Sequence, residues 1–318
     1  MKQIASILIY TFIISTSADT QNCRDTATGF IPLADLGKGK FMGFAGGKYP
    51  DGKNAIPLDH FLTGMQLSSE IKPLNKSGEP DENGKTGFMI LGFSTAAMTA
   101  RTFISICKTE QINPEIEFVI GAQGGRDINS MTDQYSDYWT NIDTALEEKN
   151  ITAKQIQIIW ISTGDIRSYQ LQFPEQCYVQ IEKYNALLKN IRIYFPNTKL
   201  VFISDRPFAG YIGGENGGPV ELAEPSAYYN SWTVKWLIEN QIENKKDFTT
   251  EDIPFIDWGP LLWTDGEKGN QLGYSWLCSD AGKGGIHPTS KGRMKEAALL
   301  YLFFTQHPYT KEFFKPGN

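Results

Sequence analysis

Five short apolar runs, separated by segments of helical length, constrain the fold of this chain more than any other feature. The runs cover residues 88–91, 116–120, 156–161, 200–203 and 253–256. Amphipathic helices are predicted near residues 95–107, 132–149, 174–194, 224–243 and 290–306. Continuous apolar strands separated by helices are typical of a parallel sheet covered on both faces. We therefore predict an α/β fold, a three-layer sandwich with a five-stranded parallel sheet.

The residues before the first run divide into two segments. Residues 1–18 combine a positive start, an apolar run and small residues before Asp19, which predicts a secretory signal peptide. A membrane anchor is the alternative, but the apolar run is short for a span of about 20 residues. Residues 19–86 are rich in Gly, Pro, Asp and Asn, which predicts a loop-rich lead-in packed on a domain of residues 87–318. The expected location is secreted or periplasmic, with no membrane span after signal removal.

Export makes disulfide bonds possible. The four cysteines are Cys23, Cys107, Cys177 and Cys278. They allow three pairings, which the sequence does not rank, and four unpaired buried thiols are the alternative.

Charge and histidine content exclude several classes of function. The chain has 30 Lys and Arg against 36 Asp and Glu, a net charge of -6, so no basic surface for nucleic acid is expected. The 3 histidines, His60, His287 and His307, are far apart in the sequence, and no CxxC pair is present. A dedicated metal site is therefore not predicted, and no organic cofactor is expected.

Ser94 stands directly after the first apolar run and before a predicted helix. Ligands of open parallel sheets lie beyond the carboxyl ends of the strands, so a serine there is well placed to act as a nucleophile. The backbone amides at the start of the following helix are suited to binding an oxyanion. The alternative is an ordinary helix N-cap, a position that serine favours for reasons unrelated to catalysis.

Two further strand-end features point to the same edge of the sheet. His287 lies in a glycine-rich loop before the last predicted helix, from which it can reach a serine and act as a general base. A surface or capping histidine is the alternative. Gly124 follows the second run, where a bare backbone brings an N–H close to a developing oxyanion. Arg126 and Asp127 come next and are either an exposed pair or substrate contacts.

The order of these residues resembles the block order of SGNH (GDSL-type) hydrolases. That order is a serine after the first strand, a glycine after the second, a polar residue after the third and a loop histidine before the last helix, here over about residues 87–306. Segments such as GFAGGKYPDGKN, GAQGG and WGPLLWTDG are similar to a group of uncharacterised secreted SGNH-like proteins. The resemblance implies a flavodoxin-like sheet and esterase or acylhydrolase activity.

Residue roles follow from this resemblance. It implies that Ser94 is the nucleophile, that His287 is the base, and that the amides of Ser94 and Gly124 donate to the oxyanion. The family's third donor is an asparagine, and Asp165 stands in that slot. An ionised carboxylate would repel an oxyanion, whereas a protonated one could donate.

A second departure concerns the acid that orients the histidine. The family places it three residues before the histidine, where this chain has Gly284. Asp280, in the same loop, is the candidate replacement, and a Ser–His dyad is the alternative. Without an acid, the imidazole lacks the group that fixes its tautomer and stabilises its charged form.

Two functions remain open at this point. The first is an exported serine esterase that removes an acyl group, such as acetyl, from a small-molecule or carbohydrate ester. Trp258 and Trp263 at the strand ends suggest stacking on sugar rings. The second is a degraded SGNH scaffold that binds a glycan or surface polymer without cleaving it. At the level of fold, an α/β-hydrolase with Asp257 as its acid is the alternative. The oligomeric state is not predicted.

Overall fold

The computed structural model describes residues 23, 25–213 and 218–315. The predicted signal peptide, residues 1–18, lies outside these described residues. No helix in the described part of the chain is long and apolar enough to cross a membrane.

The segment before the sheet is less irregular than the sequence predicts. It contains helix α1 (Leu33–Leu36), a two-stranded antiparallel ribbon of β1 (Lys40–Phe41) and β2 (Phe44–Ala45), and the three-turn helix α2 (Leu58–Ser69). The prediction of a loop-rich lead-in therefore missed α2. The reason lies in its pattern: the apolar Leu58, Leu62 and Met65 are exposed, and the side that faces the core has only Phe61 and Leu67 as large apolar residues, so the apolar periodicity is weak.

The predicted five-stranded parallel sheet is confirmed. Its strands lie in the spatial order β4-β3-β5-β6-β7, and every neighbouring pair is parallel. Their bounds are β3 (Thr86–Gly92), β4 (Ile116–Ile120), β5 (Ile156–Ser162), β6 (Leu200–Ser204) and β7 (Ile256–Trp258). The last strand begins three residues later than expected: Ile253 is fully buried, but pairing with β6 starts only at Ile256.

Helices cover both faces of the sheet, as predicted. The segment predicted as one helix over 132–149 is broken by Asp133, which has extended backbone dihedrals. The helices are α3 (Ser94–Thr109), α4 (Ile128–Thr132), α5 (Asp137–Glu148), α6 (Glu175–Tyr194), α7 (Ser226–Ile242), α8 (Ser290–Gln306) and α9 (Lys311–Phe314).

Alternate strand residues divide the core into two layers. Phe88 and Ile90 of β3 belong to the layer that contains side chains of α3 and α8. Met89 and Leu91 of the same strand belong to the layer that contains side chains of α5, α6 and α7. Both faces of the sheet are therefore sealed, and ligands are left with the carboxyl ends of the strands.

One disulfide joins distant parts of the chain. Cys23 pairs with Cys278, and their Cα atoms are 5.9 Å apart. Cys107 and Cys177 are buried free thiols in the two opposite core layers, so the sheet separates them. Of the disulfide pairings that the sequence allowed, the structure has the Cys23–Cys278 bond and leaves the other two cysteines unpaired. Burial raises the pKa of both free thiols to about 12.

Candidate active site

Ser94 and His287 lie within hydrogen-bond distance at the carboxyl edge of the sheet. Ser94 is the first residue of α3, two residues beyond the end of β3. Its Oγ is 2.9 Å from Nε2 of His287, which is 193 residues further along the chain. The structure therefore brings together the two residues predicted as nucleophile and base.

The loop that carries His287 is fixed by its own backbone. The amide of Gly282 donates to the carbonyl of His287 at 2.7 Å, and the amide of Thr289 donates to the carbonyl of Asp280 at 2.8 Å. Gly285 has a φ of +74°, and a Cβ at this position would overlap the carbonyl oxygen of Tyr211. The loop therefore requires glycine at 285 on two counts, the dihedral and the close approach.

Asp280 is not the acid partner of His287, which corrects the expected replacement. Its carboxylate is fully buried, accepts a hydrogen bond from the Leu277 amide at 2.8 Å and forms an ion pair with Lys295. Its Oδ1 has no hydrogen-bond partner, and Lys291 lies 3.8 Å from it. Asp280 therefore anchors the base of the loop through its backbone and side chain, and does not contact the imidazole.

Gly124, the second predicted oxyanion donor, lies beside Ser94. A Cβ built on Gly124 would be 3.8 Å from the Cβ of Ser94. Helix α3 begins without a side-chain cap, because its N-cap residue is Phe93. The first amides of a helix have no acceptor within the helix, so the Ser94 amide is available to a ligand.

Asp165 is not an oxyanion donor, which corrects the second expectation. Its buried carboxylate accepts from Asn129 Nδ2 at 2.6 Å, from Lys183 Nζ at 2.7 Å and from the Arg167 amide at 2.9 Å. Burial raises its pKa, but the hydrogen bonds from Lys183, Asn129 and Arg167 outweigh burial, and the net pKa lies below the usual value. An ionised carboxylate has no proton to donate.

A cavity of about 310 Å³ opens at Ser94 and His287. Its wall is mostly apolar and includes Phe93, Ile166, Phe208, Leu222 and Trp276. This volume is at the lower end of the range found for small-molecule sites.

The tryptophans predicted to stack on sugars are core residues. Trp258 and Trp263 are each 2% exposed, and their indole N–H groups donate to the Lys48 carbonyl and the Glu224 carboxyl. Neither of them lines the cavity, whose tryptophan is Trp276.

The remaining predicted residues have structural partners. Asp257 accepts from the hydroxyl of Tyr49 at 2.8 Å and lies 3.9 Å from His60, so its neighbours are not those of a catalytic acid for His287. His60 belongs to α2, not to a loop. Arg126 forms an exposed ion pair with Asp137.

The cavity wall has three charged residues to which the sequence analysis gave no definite role. Asp127 caps α4 through the Asn129 amide, Arg206 follows β6, and Glu296 lies on α8. Glu296 is 2% exposed, accepts a hydrogen bond from Thr99, and has no partner for its Oε1. Burial raises its pKa to about 7. Glu296 follows several charged residues at the start of the last predicted helix, so no sequence signal marks it.

Metal binding finds no support in the described residues. Nowhere in residues 23, 25–213 and 218–315 do three or more His, Cys, Asp or Glu side chains cluster in a way that could hold an ion.

Comparisons with known proteins give similarity in fold alone. No family model and no curated protein match the chain. Solved structures of SGNH-type proteins are similar to it. A candidate acylhydrolase from Bacteroides fragilis has 13% identity and a TM-score of 0.41, over 81% of this chain and 99% of that one. A candidate SGNH hydrolase from Slackia heliotrinireducens has 11% identity and a TM-score of 0.38, over 69% and 99%.

A third similar structure is the periplasmic domain of a lipopolysaccharide acetyltransferase from Salmonella ser. Paratyphi A, with 13% identity and a TM-score of 0.40, over 77% of this chain and 94% of that one. Identities and TM-scores this low carry no conclusion about family, activity or substrate.

Proposed function

We propose that this protein is a serine esterase that removes an acyl group, such as acetyl, from a small ester. The observation that carries the proposal is the 2.9 Å contact between Ser94 Oγ and His287 Nε2 at the mouth of an apolar cavity. Acyl transfer by a serine requires a nucleophile and a base within hydrogen-bond distance of each other.

In the first half of the reaction, Ser94 Oγ attacks the ester carbonyl while Nε2 of His287 takes the hydroxyl proton. The amides of Ser94 and Gly124 donate to the oxyanion that forms on the carbonyl oxygen. His287 then gives its proton to the departing alcohol oxygen, and the acyl group stays on Ser94.

In the second half, water attacks the acyl-enzyme. His287 takes a proton from the water, the same amides stabilise the second tetrahedral intermediate, and the proton returns to Ser94 as the carboxylic acid leaves. No step requires a metal or an organic cofactor.

The site works as a dyad in this proposal. Asp280 is bound to Lys295 and Leu277, so the orientation of His287 depends on its loop backbone and on the contact with Ser94. In a serine triad, the acid holds the imidazole in the tautomer that can accept the serine proton. When the acid is lost and the imidazole takes the other tautomer, kcat falls by about 10⁴. We therefore expect a slow esterase.

Export and domain organisation are part of the same proposal. The Cys23–Cys278 disulfide supports an oxidising location, secreted or periplasmic, in keeping with the signal-like residues 1–18. Leu33 and Tyr49 are buried in the core layer that also holds α6 and α7, which supports residues 19–86 being a segment packed on the domain of residues 87–318.

Hydrolysis of 4-nitrophenyl acetate by the purified protein tests the proposal. We expect turnover above the rate of buffer alone, its loss in Ser94→Ala and His287→Ala, and labelling of Ser94 by a fluorophosphonate probe. Equal rates for wild type and Ser94→Ala, with no labelling, would favour the second candidate, a scaffold that binds a ligand without cleaving it. That candidate is motivated by the ion-paired Asp165 and Asp280.

A further inference from the structure

Arg206 brings a buried positive charge into the cavity that holds Ser94 and His287. It lies two residues beyond the end of β6, at the same sheet edge as the candidate nucleophile. Its side chain lines the cavity, and the residue is only 9% exposed. Nothing in the proposed acyl transfer uses this charge.

The Arg206 side chain is held from several directions. Its Nη2 donates to the carbonyl of Leu222 at 2.6 Å, and its guanidinium carbon lies 5.8 Å from the centre of the Phe93 ring. Its stem passes over Gly164, where a Cβ would come within 2.9 Å of the arginine Cδ. The guanidinium is therefore fixed before any ligand arrives, which reduces the entropy lost on binding.

In the part of the chain that the structure describes, no carboxylate lies within ion-pair distance of this charge. Among the described residues, none of the ion pairs within 4.0 Å involves Arg206, and its one protein acceptor is the Leu222 carbonyl. Glu224 is the nearby carboxyl that most favours its charged form, but Glu224 accepts from the amides of Ala209 and Tyr228 and from the indole of Trp263.

Neither of the two carboxyls on the cavity wall pairs with Arg206. Both oxygens of Asp127 accept hydrogen bonds from Asn129 or from the Ile166 amide, and Glu296 accepts from Thr99 through one oxygen while its Oε1 has no partner. Apart from the bond to Leu222, the N–H donors of the guanidinium have no hydrogen-bond partner among the described residues, and a charge largely removed from water is stabilised by an anion that pairs with it. The cavity around it is apolar, so an occupant needs an apolar body and one anionic group.

We propose that Arg206 binds a carboxylate on the alcohol part of the ester substrate. The planar fork of arginine matches a carboxylate in a two-bond arrangement, which provides orientation as well as affinity. Because the acyl group of the proposed function is small, the carboxylate belongs to the alcohol part, next to an apolar body such as an aromatic ring. This inference rests on the proposed function and names its substrate class.

The test compares two esters that differ in this charge, 4-acetoxybenzoate and its neutral methyl ester. The measured quantity is the ratio of their kcat/KM values in wild type, Arg206→Met and Arg206→Lys, with Arg101→Met on the exposed side of α3 as the matched control. We expect the ratio to fall about tenfold or more in Arg206→Met, to be partly kept in Arg206→Lys and to be unchanged in Arg101→Met. Thermal melts monitored by circular dichroism verify that each variant is folded.

The other kinetic outcomes overturn the inference. An unchanged ratio in a folded Arg206→Met would show that the guanidinium does not bind the substrate carboxylate. An equal loss for both esters would place it at the reacting oxygen instead.

If wild type and Ser94→Ala hydrolyse neither ester, the proposed function fails and the anion site is judged by binding alone. Calorimetric titration with benzoate, against the neutral benzamide, is then the measurement. Binding of benzoate that is lost in Arg206→Met supports the site, and absence of benzoate binding at millimolar concentration overturns it.

Discussion

Lysines from two helices pair with the carboxylates of Asp165 and Asp280. Lys183 reaches Asp165 from α6, and Lys295 reaches Asp280 from α8. Only side-chain packing between elements decides such contacts, so the sequence does not predict them. Ser94, Gly124 and His287 are predictable, because each follows a strand or precedes the last helix, and the carboxyl ends of parallel strands share one edge.

The contacts of Asp165 let us predict the activity and stability of Asp165→Asn. Because the residue is bonded to Lys183 and does not line the cavity, we expect no gain in esterase activity, even though asparagine is the residue that SGNH hydrolases have in this slot. We expect a loss of roughly 3 kcal/mol in the free energy of unfolding, since the ammonium of Lys183 loses its charged partner and keeps only the Asn129 oxygen as an acceptor. Urea unfolding and 4-nitrophenyl acetate assays of the variant measure both quantities.

Asp247→Asn is the matched control, because Asp247 forms an exposed ion pair with Lys189 and its side chain is 50% exposed. Its stability should stay within about 0.5 kcal/mol of wild type. A marked rise in activity of Asp165→Asn would contradict the assignment of Asp165 as a structural residue.

The buried carboxyl of Glu296 should make the free energy of unfolding depend on pH. Burial raises its pKa to about 7 from an ordinary value of 4.5, so the folded state favours the neutral carboxyl. A raised folded-state pKa gives stability that is full below the unfolded value and is lost as pH rises through the folded value. Between about pH 4.5 and 7.5 we expect the wild type to lose on the order of 3 kcal/mol that Glu296→Gln does not lose.

Glutamine is the suitable replacement, because its side-chain oxygen can still accept the hydrogen bond from Thr99. The measurement is the free energy of unfolding of both proteins in urea across this pH range. Parallel curves for the two proteins would show that Glu296 titrates normally in the folded state.

At the scale of elements, the sequence predicted those whose apolar pattern is strong. The predicted helix over 174–194 matches α6 to within one residue, because its buried apolar residues recur at helical spacing. The strand over 116–120 matches β4, because it is a short run of mostly apolar residues. Helix α2 was missed because most of its surface faces solvent. The onset of β7 was misplaced because Ile253 packs in the core without joining the sheet.

The close packing of the loop that carries His287 lets us predict the effect of Gly285→Ala. The added methyl group would overlap the Tyr211 carbonyl, and the alanine would have to adopt a left-handed backbone conformation. The loop must therefore shift, and Ser94 would lose its contact with Nε2. We expect a fall of about 10²-fold in kcat with a small change in melting temperature.

Gly273→Ala is the matched control for this prediction. Gly273 has a similar φ of +80°, but a Cβ there meets nothing within 4 Å. Gly273→Ala should therefore pay the same backbone strain and keep its activity. Equal activity of the two variants would mean that the loop tolerates displacement, and that the 2.9 Å contact does not determine turnover.

At the scale of the whole molecule, the disulfide closes a loop of 255 residues. Cross-linking a loop of this size restricts the unfolded chain, and a typical native disulfide contributes about 2–4 kcal/mol. We predict that a phosphine reductant lowers the melting temperature of the wild type by several degrees and has no further effect on a Cys23→Ser/Cys278→Ser variant. Differential scanning calorimetry of both proteins, with and without reductant, measures this.

Cys107→Ser is the control, since Cys107 is a buried free thiol on the other side of the sheet from Cys177. That variant should keep the full response to reductant, because its disulfide is intact. If reductant leaves the wild-type melting temperature unchanged, the bond contributes nothing to stability.

The position of this bond has a consequence for biogenesis. Cys278 lies nine residues before His287, and Cys23 pairs with it across almost the whole described chain. During synthesis from the N-terminus, the bond can form only after every strand of the sheet has emerged. Thiol trapping of newly made chains would therefore count the molecules in which all five strands have emerged and Cys278 has paired with Cys23.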